Sequence, residues 1–376
     1  MTTHEPHPRR RFAGLASPVA ALVALAMVAT ACGTDETDEA TPDGAGQNTV
    51  TTVREDPINA TLNASGATFP KAFYDMAIDA YRRVQPGVTV NYAGGGSGQG
   101  RNQLRDGVVD FAGSDGIVRE EDKASYRGGE FLYVPTVAAP ITISYNLPDV
   151  RDLQLDADTI ARIFQRQITK WDHPTITALN AGVRLPSSDI TVAHRSDGSG
   201  TTEQFTRYLD AAAPGVWTLR FGSTVEWPSG TQAGNGNQGV AQIVRSTAGA
   251  VGYVDLSDAL AVGLQVARVK NKAGRLVGPT LEAASAALAG ARVNADLTYN
   301  PLNADGADAY PITAPTWILV YKNQTDRNKA LAVKSFLRFV LTTGQTLARD
   351  VDYAALAPSL QERALAQVES IVVPGA

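Results

Sequence analysis

The sequence holds a single cysteine, Cys32, so no disulfide can form within the chain. Histidine is almost as scarce, and beyond the first 31 residues only His173 and His194 remain. That leaves too few ligands for a zinc site built from His and Cys, and no metal or cofactor is expected. A basic excess is also missing, because 33 Lys and Arg stand against 38 Asp and Glu, for a net charge of −5. Nucleic acid is therefore not an expected partner, since nothing offsets the charge of a phosphate backbone. The common catalytic signatures fail as well. Neither Ser97 nor Ser199 sits in Gly-x-Ser-x-Gly, the run Gly94–Gly100 fits Gly-x-Gly-x-x-Gly in no frame, and no Gly-Lys pair exists for a phosphate-binding loop.

What is present is enough to fold. At 376 residues, with 44% apolar and 19% charged side chains, the chain suits two domains and hence a cleft between them. Arg9, Arg10 and Arg11 precede an apolar stretch from Phe12 to Ala31, which reads as an export signal over residues 1–31. Without it the chain carries 30 basic and 37 acidic residues, so the exported part is acidic. Cys32 follows Ala29, Thr30 and Ala31, a placement that resembles a bacterial lipobox. That resemblance implies acylation of the thiol and a lipid anchor on the outer face of the cell membrane. Residues 32–57 are rich in Thr, Asp, Glu and Gly and read as a flexible acidic tether.

From Ile58 onward, short apolar runs alternate with amphipathic stretches and Gly-rich turns, which predicts an α/β fold. Phe73, Met76, Ala77, Ala80, Tyr81 and Val84 form a helical stripe, and Leu331, Phe336, Leu337 and Val340 form another. Val88–Tyr92 and Ile141–Tyr145 alternate as strands do.

Three times a small hydroxyl residue stands at the start of a predicted helix. Thr68 leads Phe69 and Pro70, Ser97 follows three glycines, and Ser199 leads Gly200, Thr201 and Thr202. A helix start offers free amide hydrogens and positive potential, so each is a candidate anion site, although taken singly each is more often a plain N-cap and only their convergence would be functional. Just before the third start, Arg195 can present paired donors to an oxyanion while Asp197 holds the guanidinium in place. Asp115 follows the apolar pair Val108–Val109 and is placed at the end of a short strand, projecting into a cleft. A carboxylate in an anion site is useful if the ligand keeps a proton to donate.

These motifs resemble the phosphate-binding proteins of bacterial phosphate-specific ABC transporters. The similarity is carried by the segments Ala64–Pro70, Asn91–Gly98, Asp110–Asp115 and Arg195–Thr202, in that order. Ile168–Asp172, Gly234–Val240, Gly249–Tyr253 and Tyr310–Thr313 add to it. The resemblance implies a type II periplasmic-binding-protein fold, with two α/β lobes, two or three crossing strands as hinge, and phosphate in the interlobe cleft. It places lobe 1 at residues 58–138 and 313–376 and lobe 2 at 139–312. It assigns phosphate binding to Thr68, the Phe69 amide, Ser97, Asp115, Arg195, Ser199, Gly200 and Thr201, with Asp197 orienting the arginine. It also implies a membrane permease and a cytoplasmic ATPase as partners, and no enzyme activity. Two alternatives are a binding protein for sulfate or molybdate, and a hydrolase in which His194 activates Ser199.

Overall fold

The computed structural model describes residues 57–375. The expected leader, Cys32 and the tether up to residue 56 lie outside these residues. The chain runs β1 (Ala60–Gly66), α1 (Lys71–Val84), β2 (Val88–Gly94), α2 (Ser97–Arg105), β3 (Phe111–Ser114), α3 (Glu120–Lys123) and β4 (Phe131–Tyr145). It continues through β5 (Gln154–Leu155), α4 (Ala157–Phe164), α5 (Pro174–Leu179), β6 (Thr191–Arg195), α6 (Gly200–Ala212), β7 (Gln232–Gly234), α7 (Gly236–Ser246), β8 (Ala250–Asp255) and α8 (Leu256–Ala261). Then follow β9 (Gln265–Val266), β10 (Arg268–Lys270), β11 (Leu276–Val277), α9 (Leu281–Ala289), β12 (Thr313–Tyr321), α10 (Arg327–Leu341), α11 (Thr343–Leu347) and α12 (Pro358–Glu369).

Among the described residues the main sheet has the order β2-β1-β3-β12-β4-β8-β6-β7, with β9 paired to β4. The parallel pairs lie at its two ends, β1 with β2 and β3, and β6 with β7 and β8. The antiparallel β12 and β4 join them. Strand β4 changes partner along its length: Phe131–Pro140 pairs with β12, and Ile141–Tyr145 pairs with β8. Proline cannot donate to a ladder, and the two in β4 stand where the ladder is already interrupted. Pro135 adjoins a bulge that leaves Thr136 without a partner on β12, and Pro140 is the last residue before the change to β8. Both faces of β4 are covered, so Thr142 and Ser144 of its alternating end are buried along with the apolar residues.

The helices cover the sheet with the faces that their apolar spacing predicts, except that Val84 of α1 is exposed and Leu331 of α10 is only half-buried. In α1 the buried residues are Phe73, Tyr74, Ala77, Ile78 and Tyr81, whereas Val84 is 56% exposed. Tyr74 and Ile78 turn the buried face away from the expected stripe, because Tyr74 packs edge-on against Tyr92 of β2 and Phe73 meets Tyr353. Phe336, Leu337 and Val340 of α10 are buried as their spacing predicts, with Phe336 edge-on to Tyr81 at 5.3 Å. The motif Ile168–Asp172 serves this core: the Trp171 indole is buried and donates to the Gly249 carbonyl at 3.0 Å.

Candidate functional site

The strand ends and helix starts of both halves of the sheet meet at one cluster. Asp115, directly after β3, is 1% exposed. Its Oδ1 accepts a hydrogen bond from Thr316 Oγ1 of β12 at 2.7 Å, and its backbone N–H donates to Ser97 Oγ at 3.1 Å. Among the described residues its Oδ2 meets only the long contact from Ser97 Oγ at 3.4 Å, which leaves that oxygen with spare accepting capacity. Burial pushes the Asp115 carboxyl up to about 7, although the Thr316 hydroxyl, the Arg195 charge and Ser97 all pull it down.

Arg195 ends β6 and is 4% exposed. Asp197 holds its guanidinium in a two-point pair, through Nε to Oδ1 at 2.8 Å and through Nη2 to Oδ2. Nη1 donates to Asn237 Oδ1 at 2.6 Å and to Thr201 Oγ1 at 3.3 Å. Burial works against the charge on Asp197, but the bonds and charge of Arg195 and the Gly236 amide at 3.0 Å outweigh it and hold Asp197 below the usual carboxylate range. The guanidinium is therefore held by Asp197, Asn237 and Thr201 together.

The three hydroxyl-led helix starts differ in detail. Ser199 is a true N-cap, accepting from Thr202 N at 3.0 Å, and the first-turn amides of α6, those of Gly200 and Thr201 included, have no intrahelical acceptor. Ser97 is the first residue of α2 and uses its hydroxyl on Asp115, not on its own helix. Thr68 precedes α1 without capping it, and Thr68 Oγ1 accepts instead from the Asn237 amide in the first turn of α7 at 3.2 Å. Phe69 is buried, and its carbonyl accepts from the Tyr353 hydroxyl.

Two glycines allow these starts to approach one another. A Cβ on Gly200 would lie 2.3 Å from Ser97 Oγ and 2.7 Å from Asp115 Oδ2, and one on Gly96 would lie 2.2 Å from Asp197 Oδ2. Gly96 also has a φ of +89°, where a side chain would be strained. Gly98 N donates to Gly198 O at 2.8 Å, and Arg101 of α2 pairs with Glu203 of α6 at 3.2 Å, closing the two starts on each other.

The cluster thus brings together Thr68, Ser97, Asp115, Arg195, Asp197, Gly200 and Thr201, with Phe69 and Ser199 at its edge. Thr316, Asn237, Tyr353 and Asp255 also belong to it, and sequence reading had given them no role. Asn237 lies inside Gly234–Val240, a segment that carried similarity but no chemistry by itself. His194, the candidate base, is engaged elsewhere: Nδ1 bonds the Arg195 carbonyl at 2.9 Å, Nε2 bonds Thr231 Oγ1 at 3.0 Å, and the ring stacks on Trp227. Burial lowers its pKa further. Ser199 Oγ accepts as the α6 cap and keeps its O–H to donate.

Residues 45–343 match the family model of the PBP superfamily domain. The phosphate-binding protein PstS of Methanocaldococcus jannaschii is 37% identical over 324 residues, covering 80% of this chain and 83% of that protein. PstS 3 of Mycobacterium tuberculosis is 33% identical over 366 residues, covering 94% and 97%. The chain belongs to the PstS family of phosphate-binding proteins. Among solved structures, a high affinity periplasmic phosphate-binding protein bound with phosphate superposes with a TM-score of 0.68 at 24% identity, covering 82% of this chain and 93% of that one. The phosphate binding protein of Stenotrophomonas maltophilia gives 0.65 at 22%, covering 82% and 93%. The fold is accordingly the two-lobed, periplasmic-binding-protein-like α/β architecture, and among the described residues no helix is long and apolar enough to cross a membrane.

Proposed function

We propose that the protein binds inorganic phosphate outside the cytoplasm and delivers it to the permease of an ABC-type importer driven by a cytoplasmic ATPase. The observation that carries this reading is a buried carboxylate, Asp115, set among donors in a site otherwise suited to an anion. Thr68, the Phe69 amide, Ser97, Arg195, Ser199 and the amides and hydroxyl of Gly200 and Thr201 would surround the ion. Oriented amides and hydroxyls serve an anion well once water is excluded, so an acidic protein needs only one guanidinium here.

Asp115 supplies the selectivity. Hydrogen phosphate keeps a P–OH that can donate to the spare accepting capacity of Oδ2, whereas sulfate brings only bare oxygen toward a carboxylate. A site built around such a polar contact rejects a ligand lacking it by roughly 10⁴ to 10⁵. This favours phosphate over sulfate or molybdate. The hydrolase alternative loses support because both ring nitrogens of His194 are bonded to partners other than Ser199, so we assign no enzyme activity.

The lobes in this reading are residues 58–138 with 313–376, and 139–312. The partner change in β4 after Pro140, opposite Thr313 of β12, supports crossing strands there as the hinge. Bonds between the two sides, Gly98 to Gly198, Arg101 to Glu203 and Asn237 to Thr68, fit the closed form that a permease would receive. Anchoring through an acylated Cys32 completes the proposal. Titration calorimetry of the ligand-stripped protein with phosphate tests it: one-to-one binding is expected, and no heat from phosphate would overturn it.

A further inference from the structure

Arg195 does not stand on Asp197 alone. Its Nη1 donates to Asn237 Oδ1 at 2.6 Å, and Asn237 Nδ2 donates to Asp255 Oδ2 at 2.7 Å. Asn237 and Asp255 are both 0% exposed. An arginine is a donor only, so the Asn237 amide must turn its oxygen toward Arg195 and its nitrogen toward whatever lies behind. That places an obligatory acceptor at position 255. Asp255 ends β8, caps α8 by accepting from Asp258 N at 3.0 Å through Oδ1, and keeps Oδ2 for Asn237. The Asn237 backbone amide meanwhile bonds Thr68 Oγ1 at 3.2 Å, so one residue touches the site from both sides of the cleft.

Resting on the phosphate-site reading, we infer that Asp255 is a positioning residue for ligand binding, which fixes the polarity of the Asn237 side-chain amide and through it the orientation of the Arg195 guanidinium. Asp255 touches no ligand in this scheme. Its burial raises its pKa well above the usual carboxylate range, yet either protonation state leaves an oxygen that can accept from Asn237. The Tyr353 hydroxyl, which donates to the Phe69 carbonyl and lies 3.4 Å from Asp255 Oδ1, gives the same carboxyl a weaker contact with the turn before α1.

Substituting Asp255→Asn separates this role from helix capping, because Asn caps as well as Asp does. The new amide can satisfy Asp258 N with its oxygen only by turning its nitrogen toward Asn237 Nδ2, donor against donor. Asn237 must then turn its own nitrogen to Arg195 or leave a buried group unpaired. The test is a double-mutant cycle, measured as phosphate affinity by calorimetry on the ligand-stripped protein, with the melting temperature of each ligand-free variant as a second readout. Asp255→Asn is expected to weaken phosphate binding about 10- to 100-fold. In an Asn237→Ala background, which has no amide to orient, the same substitution is expected to change affinity less than about two-fold. Asp255→Ser, a good cap too short to reach Asn237, should reproduce the loss should Asp255→Asn fold poorly. Wild-type affinity in Asp255→Asn or Asp255→Ser, or losses that simply add in the double variant, would overturn the inference. Absence of phosphate binding by the wild-type protein would instead overturn the phosphate-site reading on which it rests.

Discussion

Thr316 donates its hydroxyl to Asp115 Oδ1 at 2.7 Å, across 201 positions of sequence and from the strand that joins the two halves of the sheet. The bond occupies one carboxylate oxygen and leaves the other facing Ser97 and Gly200. It also opposes the effect of burial on Asp115. Thr316→Val keeps the shape and removes the donor. Phosphate affinity is expected to fall about 10-fold or more, since a hydrogen bond to a buried charged group is lost. A carboxyl NMR titration should show Asp115 ionising at higher pH than in the wild type.

Arg195 is held by Asp197, Asn237 and Thr201 and is nearly inaccessible. Arg195→Ala removes the only guanidinium of the proposed ligand set and leaves Asp197 and the bound anion without it. By analogy with buried charge pairs at interfaces, the loss in binding should be on the order of 2–5 kcal/mol. Calorimetry checks this, and unchanged affinity would remove Arg195 from the site.

The ligand-free protein should carry a pH signature of Asp115. Its folded pKa of about 7 lies above the ordinary 3.8, so the folded state keeps a proton that the unfolded chain releases. The contribution of this group to stability is fully present below about pH 4 and is lost as pH rises toward 7. Asp115→Asn abolishes that loss. Urea unfolding of ligand-free samples should show the variant gaining on the wild type from pH 4 to pH 8, by up to about 4 kcal/mol. A difference that stays constant with pH would contradict it.

The proposed lipid anchor has its own test. Cys32→Ser should release the protein from the membrane fraction into the medium, and intact-mass analysis of wild-type protein from membranes should show acyl chains on its N-terminal cysteine. An unmodified wild-type N-terminus would remove the anchor.

Much of this was legible in the sequence, for reasons that differ from residue to residue. The helix at Ser199–Thr202 is readable because capping is local: an oxygen at one position bonds an amide three residues on. Asp115 at a strand end is readable from the apolar run before it. The roles of Ser97 and Thr68 are not, since their hydroxyls serve Asp115 and Asn237 in place of their own helices. Thr316 and Tyr353 leave no local signal at all, because each reaches the cluster through a long-range pairing or helix packing, and Asp255 shows only the local signal of an ordinary helix cap. Trp171 shows the opposite case: a motif shared with transport receptors that turns out to be core, tied to Gly249.

The most direct measurement is calorimetry at pH 8, above the Asp115 pKa of about 7 and where hydrogen phosphate still carries a P–OH, with phosphate and sulfate titrated in parallel into wild-type and Asp115→Asn protein. The expected result is one-to-one phosphate binding with no measurable sulfate binding in the wild type, and a much narrower gap between the two ions in the variant. Comparable sulfate binding by the wild type, or an unchanged ratio in Asp115→Asn, would contradict the role given to Asp115.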